Sequence, residues 1–79
     1  MRVFSFQLVA ARGLLGWSEK DLALASGISL YAVKKLEGTP GDLEPSKNLL
    51  AVAQALTSKG IVFTKDLSRV GVALDTRKR

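Results

Sequence analysis

Apolar side chains recur every three or four positions in four short runs up to Gly60, and at closer intervals after it. The first run, Leu8, Ala11 and Leu15, predicts a helix over about residues 6–15, with Ser5 as its N-cap and Gly16 as its stop. Gly13 weakens that helix by roughly 1 kcal/mol relative to alanine. Ser18 opens a second helix. Asp21, three residues on, makes a capping-box-like pair with it, and Trp17 and Leu22 stand at the two positions of a hydrophobic staple. Ser26 and Gly27 break this helix, because only glycine takes a left-handed backbone there without penalty. Ser29 opens a third helix, again with staple positions, Ile28 and Val33; Leu36 ends its apolar stripe and Gly38 is the predicted stop. A loop with two glycines and two prolines follows over residues 38–45. A fourth helix is predicted over about residues 46–58, burying Leu49, Val52, Ala53 and Leu56, with Gly60 as its cap. Residues 61–64 and 70–74 then read as two short strands, joined by a hairpin loop over residues 65–69. Arg77, Lys78 and Arg79 form a basic end expected to be mobile.

The most informative stretch is residues 18–38: a capped helix, a glycine turn and a second capped helix. Two short helices joined this way cross steeply, so that the first braces the second while the second projects. At about 100° per residue, Val33 and Leu36 of the third helix point to one side with Ala32 beside them. Tyr31, Lys34 and Lys35 gather on the opposite side, with Leu30 on its edge. A helix carrying two cations and an aromatic outward fits the major groove, where lysine donates to guanine O6 and N7 or to phosphate.

Composition narrows the classes. Seventy-nine residues make one domain, and at this size only about 60% of the unfolded surface is buried, so association with another chain is a common source of added stability. A hydrophobic fraction of 47% is enough for a core and argues against disorder. A net charge of +5 and a pI near 10.0 suit a polyanionic partner. With no cysteine and no histidine, neither a disulfide framework nor an ordinary catalytic triad nor a zinc site can be built, and no cofactor or metal is expected. Asp66 and Asp75 are scattered carboxylates without partner spacing, and no phosphate-cradling glycine loop occurs, so the chain does not read as an enzyme. No apolar run approaches the roughly 20 residues that span a bilayer. Nor does the start carry a signal peptide's long apolar stretch, so a cytoplasmic protein is expected.

The run from Ala11 to Ala23, then Ser26-Gly27-Ile28-Ser29, then Val33 to Gly38 resembles the Cro/C1-type helix-turn-helix family, also called the XRE family. Pro45, Leu49, residues 53–56 and residues 60–63 also resemble small bacterial members, and the likeness covers about residues 7–64. The resemblance implies a mainly α, lambda-repressor-like bundle of four or five helices, here with a short C-terminal β-hairpin. It implies a transcriptional regulator that binds double-stranded DNA at pseudo-palindromic operators, usually as a homodimer, in association with the bacterial nucleoid. Carried over by position, Leu30, Tyr31 and Lys35 fall where the family reads bases. Ser18, Ser29, Lys34 and Lys47 fall where it contacts or approaches the phosphate backbone. Arg12 and Glu37 match an ion pair that ties the first helix to the end of the third. The chain departs from the family at Glu19, where glutamine is usual, and at Leu30 and Tyr31, where polar residues are common. These departures favour an alternative: a helix-turn-helix protein-interaction module, or an antitoxin whose recognition helix meets a protein partner.

The expected division is a DNA-binding part over residues 1–60 and a hairpin with basic tail over residues 61–79. The four helices are expected to use their apolar faces in the monomer core. That leaves Ile61, Phe63, Val70, Val72 and Leu74 as spare apolar surface for a dimer interface. The contrary expectation is that the hairpin folds back on its own helices, and pairs with residues 2–6.

Overall fold

A computed structural model describes residues 3–65 and 69–78 of the chain. It contains α1 (Ser5–Leu15), α2 (Glu19–Ser26), α3 (Leu30–Gly38), α4 (Lys47–Ser58), β1 (Ile61–Lys65), β2 (Val70–Leu74) and a 3₁₀ turn over Thr76–Lys78. The architecture is mainly α, a small bundle with an antiparallel two-stranded hairpin at its C-terminal end. Residues 66–68 of the expected hairpin loop, Asp66 among them, and Arg79 of the basic end lie outside the described residues.

Three of the four helices start where a serine can cap them. The hydroxyls of Ser18, Ser29 and Ser46 accept from the backbone N–H three residues on, each at 3.0 Å, in Asp21, Ala32 and Leu49. Ser18 and Asp21 complete a reciprocal box, since the Asp21 carboxylate accepts from Ser18 N–H at 2.9 Å. The first helix corrects the expectation at Ser5. Its N-cap is Phe4, in extended backbone, and Ser5 is already helical. A phenylalanine ring cannot accept a hydrogen bond, so the side chain of Gln7 reaches back instead, its Oε1 accepting from Phe4 N–H at 2.8 Å. Val3 and Leu8 flank this cap at staple positions, and both are fully buried.

Gly16 and Gly27 end α1 and α2 in left-handed backbone, with φ of 70° and 74°. Gly38 does not act this way. It is the last helical residue of α3, and the chain leaves the helix at Thr39 in extended backbone. The left-handed residue of that loop is Gly41, with φ of 74°. Its carbonyl accepts from Ser5 N–H at 3.3 Å, and Leu43 N–H donates to the Val3 carbonyl at 2.8 Å. Val3 and Phe4, the described residues before α1, thus pair with the loop between α3 and α4 and not with the hairpin, as the bridge between Phe4 and Asp42 also shows.

The core is one cluster. Leu8 and Ala11 of α1, Leu22 and Ala23 of α2, Val33 of α3 and Leu49, Val52 and Leu56 of α4 meet Val3, Leu43 and Ile61. The hairpin pairs Ile61 with Leu74 and Phe63 with Val72, and all four side chains pack on this cluster. Of the five apolar residues expected to be spare after Gly60, Ile61, Phe63, Val72 and Leu74 thus pack on the monomer core while Val70 is not part of that cluster, and the hairpin folds back on its own helices. A buried polar residue fastens it there: Gln7, 1% exposed, donates from Nε2 to the Gly71 carbonyl at 2.8 Å. The basic end is not wholly irregular, since the 3₁₀ turn follows Asp75, whose N–H donates to the Gly60 carbonyl at 2.7 Å. No helix among the described residues is long and apolar enough to cross a membrane.

Candidate nucleic-acid interface

α2 and α3 form the helix–turn–helix unit. Its turn is closed by Gly27 N–H and Ile28 N–H, both donating to the Ala23 carbonyl at 2.9 and 3.2 Å. Ile28 and Leu36 lean on the core, and Val33 is buried within it at 1% exposure. Those three contacts set the roll of α3. The side turned away carries Tyr31, Lys34 and Lys35, all exposed, with Leu30 at 39% exposure on the margin. Tyr31 is 74% exposed, so its ring and hydroxyl both reach solvent.

A second tie holds α3 from its far end. The Arg12 guanidinium makes a two-point bond to Glu37, Nε to Oε2 at 2.6 Å and Nη2 to Oε1 at 2.8 Å. Its remaining Nη1 donates to the Trp17 carbonyl at 3.1 Å. One arginine therefore joins α1, the turn before α2 and the last turn of α3. The side chains are 17% and 6% exposed, so the pair is largely shielded from water. Hydrogen bonding to Glu37 holds the Arg12 guanidinium above the ordinary arginine value, against the opposing effect of burial.

An open groove runs between α3 and the start of α4. Ser29, Tyr31, Lys35, Thr39, Glu44, Ser46 and Asn48 line it. The structure thus brings together three of the residues singled out in the sequence, Ser29, Tyr31 and Lys35. Lys47 is exposed between Ser46 and Asn48, both of which line the groove. Ser18 is exposed at the N-terminus of α2 and does not line it. Lys34 goes elsewhere: its Nζ lies 3.4 Å from Oε1 of Glu19. With side chains 59% and 31% exposed, that pair contributes little to stability. It does place a cation beside the carboxylate that would oppose a polyanion, and Glu19 also sits favourably in the positive first turn of α2.

Two features escaped the sequence reading. Thr39, Glu44 and Asn48 line the groove from the end of α3, the following loop and the start of α4, which only the fold brings together. Gln7 carried a legible signal, a glutamine three residues after a cap and between the staple residues Val3 and Leu8, but it was hidden by the more obvious Ser5. Among the described residues no group of three or more histidine, cysteine, aspartate or glutamate side chains could hold a metal ion. No protein-family model matches the chain, and no curated protein matches its sequence.

Proposed function

We propose that this chain is a sequence-specific DNA-binding regulator of transcription, a member of the Cro/C1-type helix-turn-helix family. In this reading it works on the bacterial nucleoid, in the cytoplasm, and binds a pseudo-palindromic operator as a homodimer. The observation that carries it is the roll of α3. Val33 and Leu36 lock one side into the core, so Leu30, Tyr31 and Lys35 face outward on a short braced helix. Lys35 donates to guanine or to phosphate, and Leu30 packs on a thymine methyl. Ser18 and Ser29 accept the cap hydrogen bond on their oxygens and keep their O–H for a phosphate. Lys47, at the start of α4, neutralises a backbone charge on the other side of the groove.

Selection from a random-sequence duplex pool, followed by a salt titration on the winning duplex, tests the reading. Enrichment of one twofold sequence is expected, with Lys35→Ala weakening it by about 1–3 kcal/mol and relaxing preference at one base pair. An equal loss on random DNA would reduce Lys35 to a phosphate contact. Failure to retain any duplex at low salt would overturn the reading. One set of observations favours a second class, a module or antitoxin that binds a protein: Leu24 and Tyr31 are each 74% exposed, and Glu19 stands at the tip of α2. A module that keeps the fold but has lost DNA binding predicts no enrichment of duplex at any salt concentration.

A further inference from the structure

The positive charge of this chain is not spread evenly. Residues 59–79 hold six lysines and arginines against two aspartates, a net +4 of the chain's +5. From Ser18 to Lys47, the helix–turn–helix and the loop after it, four lysines stand against five carboxylates. One of those four, Lys34, is engaged with Glu19. Affinity for a duplex that does not depend on sequence comes from cations at its phosphates, and the surroundings of α3 have no surplus of them. The C-terminal end has one.

The fold sets that end beside the start of α2. Asp75 N–H donates to the Gly60 carbonyl at 2.7 Å, which returns the chain to the C-terminal end of α4 just before the 3₁₀ turn over Thr76–Lys78. An open recess there is lined by Leu15, Trp17, Lys59 and Thr76. Trp17 directly precedes Ser18, the N-cap of α2, and Glu19 beyond it meets Lys34 of α3. The surface thus continues from the outer side of α3, over the cap of α2, to Trp17 and the basic end. Lys59 is exposed, and the Arg77 side chain is 89% exposed. Arg77 bonds to the Asp75 carboxylate through Nε and Nη2, each at 3.0 Å, but an ion pair this open to water is weak and yields readily to another anion.

We infer that Lys59 and Arg77, on either side of the Trp17 recess, hold the phosphate backbone of a DNA duplex where it continues past Ser18. This rests on the DNA reading for its partner and adds a division of labour to it: α3 reads bases, while the C-terminal end supplies affinity that is blind to sequence. Charge and continuity select this occupant. A duplex is a regular row of negative charges, and the basic end adjoins the cap where the Ser18 hydroxyl keeps its O–H for a phosphate. Thr76, also exposed, offers a further hydroxyl between the two cations. Phosphate contacts position a protein without specifying a base, so removing these two cations lowers affinity for every duplex alike.

Fluorescence anisotropy of the full chain on a labelled random-sequence duplex, titrated with salt, tests the contact. The double variant Lys59→Gln/Arg77→Gln is expected to bind about tenfold or more weakly at low salt, and its slope of log affinity against log salt should be shallower by about two. The charge-keeping variant Lys59→Arg/Arg77→Lys should match the wild type in both. On a duplex selected from the random pool, K59Q/R77Q should lose the same factor, so that preference for the selected over the random duplex stays unchanged. An unaltered slope in K59Q/R77Q overturns the inference, and so does an equal loss in the charge-keeping variant, which would trace the effect to shape and not to charge. The two proposals fail separately. A chain that selects one duplex with a slope indifferent to Lys59 and Arg77 overturns only this inference. A chain that binds every duplex equally, through a slope that these two cations set, overturns only sequence-specific reading. Retention of no duplex at low salt overturns both.

Discussion

Helices α1 and α3 are similar in length, each buries one side in the same core, and Arg12–Glu37 bolts them together. Their outer sides have nothing in common. α3 presents Tyr31, Lys34 and Lys35, while α1 presents Phe6, Val9, Ala10, Gly13 and Leu14. The first face carries two cations and an aromatic ring, and the second carries no charged residue of α1. Two outer faces of opposite character can thus stand on one small domain, each on its own helix, with the core shared between them. The shared core also means that the bolt affects both faces, while substitutions on either outer side should act on one face alone.

Glu37→Ala strains that comparison most. It leaves a shielded guanidinium with only the Trp17 carbonyl, and a loss of about 3 kcal/mol is expected in urea unfolding. Arg12 stays charged across the ordinary pH range, because its pKa is raised from a value already high. The Arg12 side of the pair therefore adds no pH dependence to stability near neutrality. Gln7→Ala comes next. It removes the tie from α1 to β2 and leaves the Gly71 carbonyl to find another donor, at a cost of about 1–3 kcal/mol. Hydrogen exchange should show β2 opening before α3 in this variant; equal protection of both would mean that the glutamine does not hold the hairpin. Gly13→Ala should act in the opposite sense, stabilising the monomer by about 0.5–1 kcal/mol in thermal unfolding, because the added methyl meets open space. The smallest change in stability, under about 0.5 kcal/mol, is expected for Glu19→Gln. On the proposed DNA reading, the substitution releases Lys34 for a phosphate, and the slope of log affinity against log salt should steepen by roughly one. An unchanged slope would show that Lys34 does not reach the backbone.

The serine caps, the left-handed glycines at Gly16 and Gly27 and the four apolar stripes could be read from residues alone. Each is decided within three or four positions, by a hydroxyl meeting a nearby N–H or by the period of a helix. The outward set on α3 was legible for the same reason: Val33 and Leu36 claim one side of the wheel and leave the other to Tyr31, Lys34 and Lys35. Even the misplaced cap at Ser5 is a local matter, one residue wide, in which Gln7 and the Val3–Leu8 pair outcompeted a hydroxyl.

What the tertiary structure alone decided is which apolar surface is left over. The hairpin strands read as spare because each is hydrophobic in isolation, yet Ile61, Phe63, Val72 and Leu74 complete a core drawn from all four helices and from Val3 and Leu43. Gln7 and Gly71 stand 64 residues apart, and Lys34 meets Glu19 across a helix boundary. Local patterning determines which side of an element is apolar. Whether that side is covered depends on how the whole chain closes, because burial is a property of the packed arrangement and not of any one stretch. Only the folded chain could show that the inner side of the hairpin packs on the helices while Phe6, Val9 and Leu14 of α1 face outward.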